Sequence, residues 1–115
     1  MTESFSYGKP VYGEELESVM DRIQESCENY KLQNLDDADT VREDFGIGVY
    51  WEYEDMERFV LVTAYNENNA YISAGASERD NSEEIIEFGF IDLESLESQL
   101  EAAGATAESI NGQFG

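Results

Sequence analysis

The spacing of apolar residues changes near residue 46, and this change limits the folds open to the chain. From Glu14 onward, apolar side chains recur at helical spacing as far as Tyr30, which predicts an amphipathic helix over residues 14 to 31. From Ile47 to Glu54 apolar residues alternate with other types, as in a strand with one buried face. The fold must therefore combine a long helix with a sheet. The predicted inward residues of the helix are Leu16, Val19, Met20, Ile23, Cys27 and Tyr30.

Three further runs predict strands. Residues 58–65 are apolar on both faces, which favours a central, covered strand. Residues 70–74 predict a short strand, and residues 84–91 predict another in which Gly89 marks a bulge or a close backbone approach. Polar turns of hairpin length connect these runs, which indicates antiparallel pairing.

The segments around this sheet are less regular. Residues 1–12 predict an N-terminal arm, and residues 13–115 a single domain. Residues 34–45 are rich in Asp and predict a loop, with at most one helical turn that begins at Asp39 or Thr40.

A second helix is predicted near the end of the chain. Asp92 is suited to be its N-cap and Gly104 its C-cap, and residues 111–112 (Asn-Gly) carry a turn signal. Its predicted inward residues are Leu93, Leu96, Leu100 and Ala103. The expected fold is therefore α+β, an antiparallel sheet of about four strands flanked by an N-terminal and a C-terminal helix.

The charge excludes several functions. The chain carries 27 acidic residues against 6 Lys plus Arg, a formal net charge of −21. A direct nucleic-acid binder needs Lys and Arg to displace the counterions of the phosphates. An anionic membrane surface would repel the chain for the same reason. We therefore expect neither nucleic acid nor membrane as a direct partner.

The remaining composition favours a cytoplasmic protein, in the host cell if the chain is phage-encoded. No apolar run approaches the roughly 20 residues that span a bilayer. The N-terminus lacks the basic and apolar regions of a signal peptide. The single Cys27 cannot form an intramolecular disulfide, which fits a reducing compartment. The sequence does not define the oligomeric state.

Catalytic chemistry has little support, so we predict no enzyme and no cofactor. The chain has no histidine, and Cys27 lies on an apolar helix face without the positive charges that would make it a thiolate. A calcium-binding loop started at Asp37 would place Val41, Arg42 and Gly48 at positions that need other residues. We therefore predict no metal site. The GIG run at 46–48 lies in a predicted strand and lacks the features of a phosphate loop.

The acidic residues instead form groups on predicted elements. Acidic residues on the first helix recur every three or four positions and so form one stripe. Like charges at this spacing destabilise a helix, and almost no Lys or Arg is placed to relieve the repulsion. On the predicted last helix, Glu94, Glu97 and Glu101 have the same spacing of three or four residues. The groups predicted to contact a partner are the stripe Glu14, Glu17, Asp21, Glu25 and Glu28, the cluster Asp36, Asp37 and Asp39, and the hairpin group Tyr50, Glu52, Glu54, Asp55 and Glu57.

The aromatic residues of the first strand are open to two interpretations. We expect Trp51 to pack in the core. Tyr50, which shares a face with Glu52 and Glu54, is equally consistent with core packing and with a role as an anchor for a partner.

One stretch resembles a known family. The run Phe-Val-Leu-Val-Thr-Ala-Tyr-Asn-Glu-Asn-Asn at 59–69, then a short apolar strand, an acidic loop and a strand ending in Phe-Ile-Asp at 90–92, is similar to the central strands of phage uracil-DNA glycosylase inhibitors. The resemblance implies a small acidic DNA mimic with an antiparallel sheet and two helices. In size and charge the chain also resembles phage anti-defence proteins, including anti-CRISPR and anti-restriction mimics. No binding residue is carried over from these families.

The leading hypothesis is a non-enzymatic DNA mimic that occupies the basic groove of a nucleic-acid-binding protein. Two alternatives remain. One is an acidic binding module such as a toxin-immunity protein or a secretion chaperone. The other is halophilic adaptation, in which the acidic surface serves the solvent and indicates no partner.

Overall fold

The computed structural model describes residues 8–35, 37–77 and 83–110. They form one antiparallel sheet of five strands and two helices, which confirms the α+β class. The elements in chain order are α1 (Gly13–Asn34), β1 (Asp39–Arg42), β2 (Gly46–Tyr53), β3 (Met56–Ala64), β4 (Asn69–Ser77), β5 (Glu83–Asp92), a 3-10 turn (Leu93–Ser95) and α2 (Leu96–Ser109).

The sheet has a simple meander order, β1-β2-β3-β4-β5, in which each strand pairs with the next along the chain. Both helices pack on one face of this sheet, which we call the covered face. The other face, which we call the open face, has no described helix against it. The main core lies between the covered face and the helices, and its strand residues include Ile47, Val49, Trp51, Val60, Val62, Ala70, Ile72 and Ala74.

The predicted inward faces of both helices are confirmed. All six apolar residues predicted for α1 are buried, and all four predicted for the last helix are buried as well. Helical spacing predicts these faces because each apolar side chain lies on the same side of the helix as the residue three or four positions away.

The sheet has five strands rather than four, because the predicted loop at 34–45 contains β1. In that strand only Val41 is apolar, so the segment lacks the alternation that predicts a strand. Its backbone pairs with β2, where Val41 lies opposite Gly48. The helical turn expected at Asp39 or Thr40 is therefore wrong.

The predicted C-cap of the second helix is also wrong, because α2 continues through Gly104 to Ser109. Gly104 is buried against Tyr30 of α1. A Cβ atom at this position would lie 1.9 Å from the Tyr30 hydroxyl oxygen. Glycine is therefore placed here by close packing of the two helices, and helix termination is not its role. The turn signal at residues 111–112 lies outside the described residues.

Two predictions made for β5 concern the irregularity at Gly89 and the N-cap role of Asp92. The pairing register between β4 and β5 shifts near Ile72, where Gly89 adopts a φ of +92°, which confirms the irregularity predicted at that glycine. Asp92 does precede the turn into α2, but its side chain makes no cap hydrogen bond. It accepts a hydrogen bond of 3.1 Å from Asn69 Nδ2 instead.

One buried cation fixes the end of α2 to the β2–β3 hairpin. The Arg58 side chain is 1% exposed and lies on the covered face. Its guanidinium donates hydrogen bonds to the carbonyls of Ala107 (2.8 Å), Ile110 (2.6 Å) and Tyr53 (2.9 and 3.1 Å). A positive charge is favourable at a helix C-terminus, where the last carbonyls lack helical partners. Arg58 therefore donates to backbone carbonyls at the end of α2 and in the hairpin at once, which joins the two elements.

Candidate partner-binding surface

Several predicted contact residues meet at the end of the β2–β3 hairpin. They line a surface depression of about 300 Å³, which we call the hairpin depression. The pairing register explains the arrangement, since Asp39 lies opposite Tyr50 and Glu52 lies opposite Glu57. The lining residues are Asp37, Asp39, Tyr50, Trp51, Glu52 and Glu57.

Tyr50 belongs to this group and faces the open side of the sheet. Its ring covers Gly48, where a Cβ atom would come within 2.7 Å of the ring. The ring centroid lies 6.3 Å from that of Phe59 on β3, with the planes tilted by 42°. Tyr50 is half-buried, so it combines packing with an exposed part that a partner can contact.

The surroundings of Tyr50 raise the pKa of its phenol. Burial is the largest cause, and the carboxylates of Glu43 and Glu57 follow in that order. Glu43 is not among the predicted contact residues, because its position beside Tyr50 depends on the β1–β2 pairing that the sequence did not reveal.

Glu52 and Glu57 place two like charges opposite each other on neighbouring strands. Both are exposed, and cross-strand partners have Cβ atoms about 5 Å apart. Glu54 and Asp55 form the two-residue turn between them, with φ values of 53° and 66°. Such left-handed angles define the hairpin turn whose twist matches that of the strands. The hairpin end thus presents four carboxylates within a short length of chain.

Trp51 points to the covered face, as expected of a core residue. Its side chain is 6% exposed, and its indole Nε1 donates a hydrogen bond of 2.8 Å to Glu108 Oε2 on α2. A second depression, of about 270 Å³, lies on this side of the strand and shares Asp37, Trp51 and Glu52 with the first. The hairpin end is therefore acidic on both sides of the sheet.

The other end of the open face carries a further acidic depression. It has a volume of about 380 Å³ and includes Glu43, Asp44 and Phe45 of the β1–β2 turn together with Leu61 and Thr63 of β3. The Phe45 side chain is 59% exposed. Acidic groups thus occur at both ends of a central region that contains aromatic and apolar side chains.

The stripe on α1 does not join this surface. Helix α1 packs on the covered face, so Glu14, Glu17, Asp21, Glu25 and Glu28 belong to the layer on the other side of the sheet from Tyr50. Asp36 lies outside the described residues. The structure thus brings together Asp37, Asp39, Tyr50, Glu52 and Glu57, with Glu54 and Asp55 at the adjoining turn.

The sequence indicates almost no Lys or Arg near the stripe, but one arginine from outside the helix pairs with two of its members. Arg42, at the end of β1, reaches α1 and forms ion pairs of 2.7 Å with Glu17 and Asp21. It also donates a hydrogen bond of 2.9 Å to Gln24. These contacts raise the pKa of Arg42, with the hydrogen bond to Asp21 as the largest cause. In residues 8–35, 37–77 and 83–110 these are the two ion pairs, and neither involves the hairpin depression.

Cys27 is unsuited to nucleophilic chemistry. It is fully buried in the core, and burial, followed by the charge of Glu28, raises its pKa to about 12. In the described part of the chain, no three side chains of His, Cys, Asp or Glu are grouped so as to hold a metal ion. None of the described helices combines the length and the apolar character needed to cross a membrane.

Comparison of the chain with protein-family models, curated proteins and solved structures finds no match.

Proposed function

We propose that this chain is a non-enzymatic DNA mimic that inhibits a nucleic-acid-binding protein by occupying its basic groove. Its contact surface is the open face of the sheet around the hairpin depression. The observation that carries the proposal is the group of four acidic residues that line the hairpin depression together with Tyr50, namely Asp37, Asp39, Glu52 and Glu57. Among the residues that the structure describes, the ion pairs are those of Arg42 with α1, and none involves this group.

The charge available for mimicry is the part around the open face, because the stripe on α1 belongs to the other side of the sheet. At the hairpin end this part comprises six carboxylates, from Asp37, Asp39, Glu52, Glu54, Asp55 and Glu57. On the sheet, neighbouring carboxylates are held about 5 to 7 Å apart by the strand spacing and the two-residue repeat. A rigid sheet fixes these charges in advance, which reduces the entropy lost when a partner binds.

The open face also offers contacts that carry binding energy. Exposed charges at the rim of an interface mainly accelerate association, whereas buried aromatic residues supply much of the affinity. Tyr50 provides such an anchor, because its ring is already fixed over Gly48 and beside Phe59. A partner that presents Arg and Lys around an apolar side chain would match both features.

The biological setting that we propose is phage anti-defence in the host cytoplasm. The targets of that class include CRISPR, restriction and DNA-glycosylase proteins, each of which binds DNA through a basic surface. An antiparallel sheet with two helices agrees with the fold implied by the resemblance of residues 59–92 to uracil-DNA glycosylase inhibitors.

Capture of DNA-binding proteins by matched variants tests the proposal. The immobilised protein is mixed with a cell extract enriched for basic proteins, and bound proteins are challenged with duplex DNA. The Glu52→Gln/Glu57→Gln variant should lose capture, whereas Glu94→Gln/Glu101→Gln, with the same change in charge in the 3-10 turn and α2, should retain it. Equal capture by both variants, or bound proteins that DNA does not displace, would overturn the proposal.

A further inference from the structure

The last strand of the sheet has an outer edge to which no other described strand is paired. β5 is ten residues long and ends the strand order, so its backbone donors and acceptors on that side face outward. Its first half, Glu83–Glu87, pairs with β4 in regular register before the shift near Gly89. Five residues at about 3.4 Å per residue give a regular edge of roughly 17 Å. Such an edge is a template for the addition of another strand.

The side chains along this edge restrict which strand can add. Glu83, Ile85 and Glu87 lie on the open face, and Glu84 and Ile86 on the covered face. Ile85 is 49% exposed, and all three glutamates are exposed. One oxygen of Glu87 accepts a hydrogen bond from the hydroxyl of Tyr71 on β4, which fixes the direction of that carboxylate.

A second copy of the chain is a poor occupant of this edge. Antiparallel pairing of two copies centred on Ile85 would place Glu83 of each copy opposite Glu87 of the other. Like charges directly opposite each other destabilise a strand pair. Native proteins often protect edge strands with charged residues, and here the charge is entirely negative. The edge therefore rejects copies of itself and favours a strand of opposite charge.

We propose that β5 accepts a basic strand from a partner protein by antiparallel strand addition along Glu83–Glu87. Each glutamate then faces a Lys or Arg, and each isoleucine faces an apolar residue. Read from its own N-terminus, the matching partner segment is basic, apolar, apolar, basic, basic. The outer edge of β5 and the hairpin depression lie at opposite edges of the sheet. A failure of strand addition and a failure of the proposed function are therefore distinguishable.

Hydrogen exchange with a designed peptide tests this proposal on the full chain. The probe is acetyl-Thr-Lys-Val-Val-Lys-Lys-Thr-amide, whose central five residues match the edge in antiparallel register. A peptide of the same composition in scrambled order keeps the charge and loses the register. A third peptide carries N-methyl groups on alternate residues, so it keeps the side chains and loses the strand hydrogen bonds.

We expect the probe to slow amide exchange in β5 selectively at low salt, and neither control peptide to do so. The Glu83→Lys/Glu84→Lys variant should bind the probe about tenfold more weakly, since two attractive cross-strand pairs become repulsive. Glu94→Lys/Glu101→Lys, with the same net charge, should bind it normally. No slowing at millimolar probe, or equal slowing by the scrambled or N-methylated peptide, would overturn the proposal. Protection of β5 that rises with protein concentration in the absence of peptide would show a second copy at the edge and would also overturn it.

Discussion

Glu52 and Glu57 occupy directly opposed positions on β2 and β3, although their like charges weaken the strand pair that they belong to. We therefore expect Glu57→Lys to raise the free energy of unfolding by roughly 0.5 kcal/mol, the range of a cross-strand charge pair. Urea unfolding followed by circular dichroism measures the change. The same variant should lose binding to a basic partner. A loss of stability would mean that the opposed carboxylates are not in repulsive contact.

Replacement of the buried cation Arg58 should lower the stability of the fold. Replacement by Met would remove the guanidinium donor from the carbonyls of Tyr53, Ala107 and Ile110, and a buried acceptor left unsatisfied costs about 1–3 kcal/mol. We expect Arg58→Met to lower the free energy of unfolding by roughly 1–3 kcal/mol. The matched control is Arg22→Met, which removes one exposed hydrogen bond to the Glu67 carbonyl and should change stability by less than about 0.5 kcal/mol. Equal effects in the two variants would contradict the anchoring role of Arg58.

Gly104 and Tyr30 form a pair that a double-mutant cycle can isolate. In an exposed helix, Gly→Ala stabilises by about 1 kcal/mol. Here the added Cβ would meet the Tyr30 hydroxyl oxygen at 1.9 Å, so we expect Gly104→Ala to destabilise by roughly 1–3 kcal/mol. Tyr30→Phe removes that oxygen, and the next ring atom lies 3.1 Å away, so the double variant should recover most of the loss. Additive effects of the two substitutions in thermal unfolding would show that position 104 and the Tyr30 hydroxyl are not in close contact.

The buried Cys27 and Tyr30 predict a loss of stability at high pH. Burial, the largest cause in both cases, raises the pKa of Cys27 from 9.0 to about 12 and that of Tyr30 from 10.0 to about 12. Because the folded state favours the neutral forms, their contribution is complete below about pH 9 and is lost as the pH rises toward 12. The melting temperature should therefore fall across that interval. Reaction of Cys27 with a thiol reagent at pH 8 should require unfolding, and rapid reaction in the native state would contradict its burial.

The salt dependence of stability separates mimicry from halophilic adaptation. Repulsion among surface charges is largely screened above about 0.2 M salt, where the Debye length is below 10 Å. We expect the melting temperature to rise up to about that concentration and then to level off. The halophilic alternative predicts a steep rise into molar KCl. Calorimetry over this range of KCl concentrations makes the comparison.

The sequence predicted the helices well because their signal is local. Each inward residue of α1, from Leu16 to Tyr30, lies on one helical face, and the same holds for Leu96, Leu100 and Ala103 in α2, with Leu93 buried in the 3-10 turn before it. β1 was missed because it has four residues of which one is apolar, so it shows no alternating pattern. It forms a strand through its backbone pairing with β2. Gly104 was misread because its glycine requirement comes from Tyr30, which is distant in sequence.

The candidate site was predicted in part for the same reason. The acidic residues of the hairpin were evident, but their meeting with Asp37 and Asp39 depends on β1. The opposition of Glu52 and Glu57 depends on a two-residue turn made of Glu54 and Asp55, whereas such turns usually carry Asn-Gly. Arg42 joins α1 only through the tertiary fold, so its ion pairs with the stripe had no sequence signal.

The central claim is that the open face around Tyr50 takes the place of DNA on a basic protein. The most direct measurement is sedimentation of a captured target with this protein and a labelled DNA duplex that the target binds. We expect two exclusive complexes, target with DNA and target with this protein, and a shift between them as either competitor is raised. A ternary complex that holds all three components at saturation would contradict the claim.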